Sequence, residues 1–207
     1  MQDSFSVTEM LCNVQPGDER SMAALLPLVY AELKLLAARQ LGRELRAGKT
    51  PTLQPTALVH EAFLKMVGND KGWSGRDHFM AVAATAMRQV LVDYARRKNA
   101  DKRGGGEGAT ARYARNRNAH ADVTLDGLGS DEPTTREVQV IELDDLLAEL
   151  AKASERAARV AEMRLFGGMD QDQIARVLGI SRMTIHRDWQ IARAWLAGQL
   201  QDSAHVQ

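Results

Sequence analysis

Two groups of side chains in this chain have types and spacing suited to holding a polyanion. Arg182, His186 and Arg187 follow closely on the string Asp170-Gln-Asp-Gln-Ile-Ala-Arg-Val-Leu-Gly-Ile-Ser181. Near the start of a helix, such donors can enter the major groove of DNA. Arg96, Arg97 and Lys98 form a second cationic group behind the apolar segment that begins at His78. They suit a phosphate-binding strip, each contact adding salt-dependent affinity. Three cations at a helix C-terminus also complement the helix dipole, so capping explains them as well. Trp73, His78, Phe79 and Tyr94 lie close by in sequence and are of the kind that stacks on unpaired bases. Most of these aromatics suit a core, which leaves Trp73, in a polar loop, as the exposed candidate. Catalytic and metal patterns fare worse. His60-Glu61 lacks the second histidine of a zinc helix, Cys12 has no companion ligands, and no Lys-Ser/Thr follows Gly104–Gly108 as a phosphate loop requires. Neither an enzyme nor a metal or cofactor site is expected.

The elements that must position these groups are helices. Ile174, Ala175 and Leu178 share one helical face. Gly179 follows where a helix ends in a left-handed residue. Ile180 plugs the turn and Ser181 is a good N-cap for the next helix. Ile185, Trp189, Ala192 and Leu196 then recur at i, i+4, i+7 and i+11 as one buried stripe. The pattern is a helix-turn-helix, against the blander reading of a helical hairpin that only packs. Upstream, helical periodicity runs from about Asp18 to Leu45, with Pro27 marking a first turn or a kink. Pro55 is well placed as the first residue of a helix bearing Leu58, Val59, Ala62, Phe63, Met66 and Val67. A long helix is expected from Asp77 to Lys98, and two more over Val138–Leu150 and Ser154–Leu165. No strand alternation is present. Residues 104–136, rich in Gly, Ala, Asn, Asp and Arg without apolar period, read as a flexible linker. The expected fold is all-α. Two small helical domains, 18–103 and 137–200, are joined by that linker and flanked by polar tails at 1–17 and 201–207.

Composition narrows the classes. The 207 residues are 44% hydrophobic and only 5% aromatic, so cores of Leu, Ala, Val and Met are expected. Lys plus Arg and Asp plus Glu number 27 each, so any nucleic-acid surface must arise from local segregation. Such segregation exists. Arg96 to Arg117 is strongly basic, whereas Asp122 to Glu149 is acidic with Arg136 as its one cation. A single cysteine excludes an internal disulfide and fits a reducing cytosol. No apolar run approaches the roughly 20 residues of a membrane span, which points to the cytoplasm.

Two DNA-reading modules joined by a linker resemble the extracytoplasmic-function (ECF) sigma factors of bacterial RNA polymerase. The resemblance is carried by Leu58-Val-His-Glu-Ala-Phe-Leu64, His78-Phe-Met-Ala-Val-Ala-Ala84, Leu91-Val-Asp-Tyr-Ala-Arg-Arg97, Lys102-Arg-Gly-Gly105 and the helix-turn-helix. It covers about 21–102 and 143–199, similar to sigma regions two and four. It implies that the helix beginning near Pro55 docks on the polymerase clamp through Gln54, Thr56, Leu58, His60 and Glu61. It implies that Arg88, Asp93, Arg96, Arg97 and Lys98, with Trp73, serve melting and reading of the −10 promoter element. Ser181, Arg182, Met183, Thr184, His186 and Arg187 fall on the helix that reads the −35 element. Core RNA polymerase and promoter DNA are the implied partners, with an anti-sigma factor left open.

The chain departs from the family at one place. Typical members start the clamp helix with several acids, as expected of a surface that meets a basic clamp. Here the stretch is Gln54-Pro-Thr-Ala57. Charge-assisted contacts are worth about 1.5–3 kcal/mol each, so poor binding of core polymerase is expected for the unmodified chain. This places the chain in a subgroup lacking the acidic clamp motif. Phosphate on Thr56 would add about −1.5 to −2 charges in the first helical turn, where the dipole favours anions. A Ser/Thr kinase acting at Thr56, or at Thr52 or Thr50, would then switch the factor on. Otherwise Thr56 is an ordinary helix-start residue, with Glu61 and apolar contacts sufficing. Two other functions compete. A stand-alone helix-turn-helix regulator would bind a palindrome without polymerase, and an adaptor would be indifferent to loss of Arg96 or Arg187.

Overall fold

A computed structural model describes residues 9, 19–41, 53–67, 72–104, 122–124 and 137–205. The expected tail at 1–17, Glu9 apart, and the greater part of the linker lie outside the described residues, as do Thr50 and Thr52. Among the described residues seven helices carry the fold: α1 (Glu19–Gln40), α2 (Pro55–Val67), α3 (Arg76–Gly104), α4 (Val140–Ala153), α5 (Glu155–Leu165), α6 (Gln171–Leu178) and α7 (Arg182–His205). The chain is all-α in its architecture. One small addition departs from the expectation of no strands. β1 (Asp122–Thr124) pairs antiparallel with β2 (Glu137–Gln139), Val123 opposite Val138. Each strand has one β-branched valine or a Val-Thr pair among polar residues, too short a signal for alternation to reveal. The pairing also ties three residues of the expected linker to the segment just before α4.

Apolar spacing explains the packing. Leu25, Val29, Leu33, Leu36 and Ala37 bury one stripe of α1, and Pro27, exposed on the other side, does not interrupt the helix. Leu58, Val59, Ala62 and Met66 of α2 close over it, and Phe79, Ala83, Met87 and Leu91 of α3 complete the first cluster. Each fully buried side chain of this size contributes about 1.5–3 kcal/mol relative to exposure. The second cluster joins Val140, Leu143, Leu147 and Leu150 of α4 to Ala157, Val160 and Ala161 of α5 and to Ile185, Trp189, Ala192 and Leu196 of α7. Ser154 caps α5 as expected, its hydroxyl accepting from the Ala157 N–H.

The two groups form one continuous core across α3, which packs against α4, α5 and α6 as well as α1 and α2. Phe166, just past α5, is fully buried at this junction. Gln40, 2% exposed at the end of α1, bridges the two sides. Its Nε2 donates to the Phe166 carbonyl at 3.0 Å and to the Ala84 carbonyl at 3.3 Å. Gly168 adopts φ 61°, and a Cβ there would run into the Arg39 guanidinium, so glycine lets the α5–α6 turn press on α1.

Candidate nucleic-acid interface

The helix-turn-helix forms as its residues dictate. Asp170 caps α6 in a reciprocal box with Gln173, whose backbone N–H donates to the Asp170 carboxylate at 2.8 Å. Gly179 ends α6 at φ 66°, the left-handed conformation, and Ile180 packs against the core. Ser181 then accepts from the Thr184 N–H at 3.2 Å and starts α7. Beneath that first turn, Asp188 is 3% exposed and held by Arg156 of α5 through two hydrogen bonds, at 2.5 and 3.2 Å. One turn further on, the Arg164 guanidinium lies 5.0 Å from the centre of the Trp189 ring. Helix α7 is therefore fixed on its inner side at Ile185, Asp188 and Trp189. Its outer side is free. Ser181, Arg182, Met183, His186 and Arg187 are exposed and Thr184 half-buried, with Met183 at 76%. Arg182 reaches Asp172 at 3.5 Å and donates from Nε to the Gln171 side-chain Oε1 at 3.4 Å, and Gln171 Nε2 lies 3.3 Å from His186 Nδ1. Arg187 has no ion-pair partner among the described residues. The site residues expected on this helix thus come together on one exposed turn.

Helix α3 is arranged differently. Arg88 is held between Asp144 of α4 and Glu162 of α5, its Nε donating to Glu162 at 2.9 Å, and its guanidinium lies 5.7 Å from the Phe166 ring centre. Arg96 Nη2 lies 3.2 Å from Asp144 and 3.4 Å from Asp145. Asp93 faces α2, where Lys65 donates to it at 2.8 Å. That hydrogen bond holds the Asp93 carboxyl below its ordinary range, against a smaller opposing effect of burial. Arg97 Nε donates to the Asp93 carbonyl at 3.2 Å and its side chain is exposed. The Lys98 side chain lies outside the described residues. At the N-terminus of α3, Asp77 accepts from Arg176 at 2.7 Å and Gln173 at 3.3 Å, both on α6.

Two expected site residues are corrected. Trp73 is 6% exposed and stacks edge-on against Phe79, ring centres 5.4 Å apart, so it is a core residue and not an open platform for a base. The polar loop around it concealed that Phe79 was waiting one turn into α3. Leu58 is fully buried, because it shares its face of α2 with Val59, Ala62 and Met66. A clamp cannot touch it. The outer face of α2 instead shows His60, Glu61 and Leu64, the last 67% exposed and not anticipated. Its signal was its place one helical turn after His60 and three residues after Glu61, off the core stripe. Gln54 is exposed, and its carbonyl accepts from the Leu58 N–H at 3.0 Å. Thr56 is half-buried in a first turn that holds no acid.

A family model described as ECF sigma factor matches residues 4–202 of this chain. The chain belongs to the ECF sigma factor family. No curated protein and no solved structure matches it. Its role is accordingly that of an alternative sigma factor in transcription initiation, with core RNA polymerase and promoter DNA as partners. No described helix of this sigma factor is long and apolar enough to cross a membrane.

Proposed function

We propose that this sigma factor reads the −35 element with the exposed turn Ser181–Arg187 of α7 and opens the −10 element with α3, working beside core polymerase in the cytoplasm. One observation carries the reading. A helix buried along Ile185, Trp189, Ala192 and Leu196 leaves a cationic first turn uncovered, in the orientation a groove-reading helix needs. The division of labour places −10 recognition in 18–103 and −35 recognition in 137–200. Polymerase docking falls to the outer face of α2, through Gln54, His60, Glu61 and Leu64. Transcription in vitro with core polymerase tests this directly. Promoter-specific transcript is expected from the chain carrying the activating Thr56→Glu change and much less when Arg187→Ala is added to it. Tight polymerase-independent binding to a palindrome overturns it.

The absence of acid in the first turn of α2 supports a finer proposal: a Ser/Thr kinase activates the factor at Thr56. The phosphate would stand at the positive end of α2, beside Gln54 on the docking face, and restore the missing anionic contact. Thr56→Glu should raise polymerase pull-down and reporter output, and Thr56→Ala should leave both low. Full activity of the alanine variant removes the proposal.

A further inference from the structure

The cations of α3 that the proposed function assigns to promoter DNA are already occupied. Arg88 lies between Asp144 and Glu162 with only 15% of its side chain exposed, and Arg96 reaches Asp144 and Asp145. Asp144 serves both guanidiniums. The acids come from α4 and α5, which belong to the half that carries the recognition helix. Their spacing along α3 matters: Arg88 and Arg96 are eight residues apart, a little over two turns, so they share one face. The other contacts of the junction support the same closed arrangement. Phe166 lies under the Arg88 guanidinium, Gln40 fastens the Phe166 carbonyl, and Arg176 of α6 grips Asp77 at the far end of α3.

We infer that the carboxylates of Asp144 and Glu162 act as an intramolecular stand-in for DNA phosphate, closing the melting helix until the two halves separate. The inference rests on the assignment of α3 to the −10 element. A carboxylate presents to a guanidinium the same charge-assisted acceptors as a phosphate oxygen. The two cannot occupy Arg88 together, because Asp144, Glu162 and Phe166 fill its surroundings. Strand binding by α3 therefore requires α4 and α5 to swing away. The exposed turn of α7 carries no such cover, so the closed molecule can still offer its −35 face. The latch thus gates promoter opening and not upstream recognition. The acidic stretch Asp122–Glu149 gains a purpose, since its Asp144 and Asp145 are the residues that meet Arg88 and Arg96.

The test uses the full chain with Asp144→Asn, alone and combined with Glu162→Gln, neither residue being in the DNA-reading set. Small-angle scattering should show the double variant expanded relative to the native chain. Native chain titrated with salt should expand in the same way, as screening weakens ion pairs. This provides a reading of the latch even if a variant fails to fold. Binding to a fluorescein-labelled single-stranded oligonucleotide of mixed sequence should tighten on the order of tenfold, as expected when close charge pairs no longer compete. Its salt dependence should steepen by roughly 1.4 in log–log slope, for two freed phosphate contacts at about 0.7 each. An equally compact double variant, or one that expands with unchanged affinity and slope, overturns the latch. Native chain that keeps its dimensions across the salt titration does the same. Promoter transcription with core polymerase separates this from the underlying assignment. Equal transcript from native and variant chains at limiting factor rejects the latch alone. No promoter opening by either chain, each also carrying Thr56→Glu, rejects the assignment of α3 to the −10 element, and the scattering and slope still decide whether α3 is latched.

Discussion

The helices α7 and α3 carry similar cations in opposite circumstances. On α7, the buried side chains Ile185, Asp188 and Trp189 hold the helix from within, while Arg182, His186 and Arg187 are exposed, the first two touching only exposed side chains of α6. On α3, Arg88 is enclosed by two acids and an aromatic ring contributed by the other half of the molecule. The difference is geometric. α7 lies at the edge of its cluster and has an outer side, whereas α3 is the shared wall of two clusters and has little. A cation at an edge is ready for a ligand, and a cation in a shared wall must first lose a partner.

The largest expected effect comes from the shared wall. Phe166→Ala removes a fully buried ring from the junction, and such truncations cost about 3–5 kcal/mol. Urea denaturation should report that loss, and a cost well under it would mean that the two halves are not joined as described. Next comes the edge helix. Arg187→Ala should weaken −35 duplex binding by about 1–3 kcal/mol, the worth of one good base contact. The loss should be equal in the free protein and in the holoenzyme, measured by gel shift and by abortive initiation. For Arg88→Ala the comparison predicts the opposite pattern: little change in duplex binding by the free chain, but a clear loss of open complex in the holoenzyme, followed by permanganate reactivity.

A smaller effect concerns pH. His78 accepts from the Ser74 N–H, and burial, reinforced by the Arg159 charge from α5, lowers its pKa below about 6.5. The folded state thus prefers neutral His78. Its contribution is intact above the unfolded pKa, near 6.5, and falls away as acidification carries the pH down toward the lower folded value. Stability measured across that window should decline in the native chain and decline less in His78→Gln. The smallest effect is expected at Trp73. Its indole N–H is buried without a partner among the described residues, so Trp73→Phe removes an unsatisfied donor along with some packing. Net stability should change by about 1 kcal/mol or less, and single-strand binding should not change. A marked loss of binding would return Trp73 to the DNA surface.

The sites were unequally legible in the sequence. The helix-turn-helix was visible residue by residue, because its requirements are local: Asp170 and Ser181 as caps, Gly179 for a left-handed backbone, and one apolar stripe. The clamp helix was half visible. Its start at Pro55 and its lack of acid were plain, yet Leu58 and Leu64 exchanged roles, since both are leucines and only the helix's placement against α1 and α3 assigns one inward. Trp73 and the β1–β2 pair were misjudged for a related reason. Trp73 is buried only because the loop folds back onto Phe79, and the strand pair is too brief in pattern to announce itself.

By itself, the sequence determined the helices of the described residues and the family motifs, because periodicity, caps and breakers act within a few residues. It also displayed a basic stretch followed by an acidic one, without saying whether the two would meet. Only the tertiary structure decided that. Asp144 and Asp145 lie 48 and 49 residues from Arg96, and nothing local fixes such a distance. The contact arises because Phe166, Gln40 and Gly168 let the second cluster seat on α3, and burial of that wall brings the charges together.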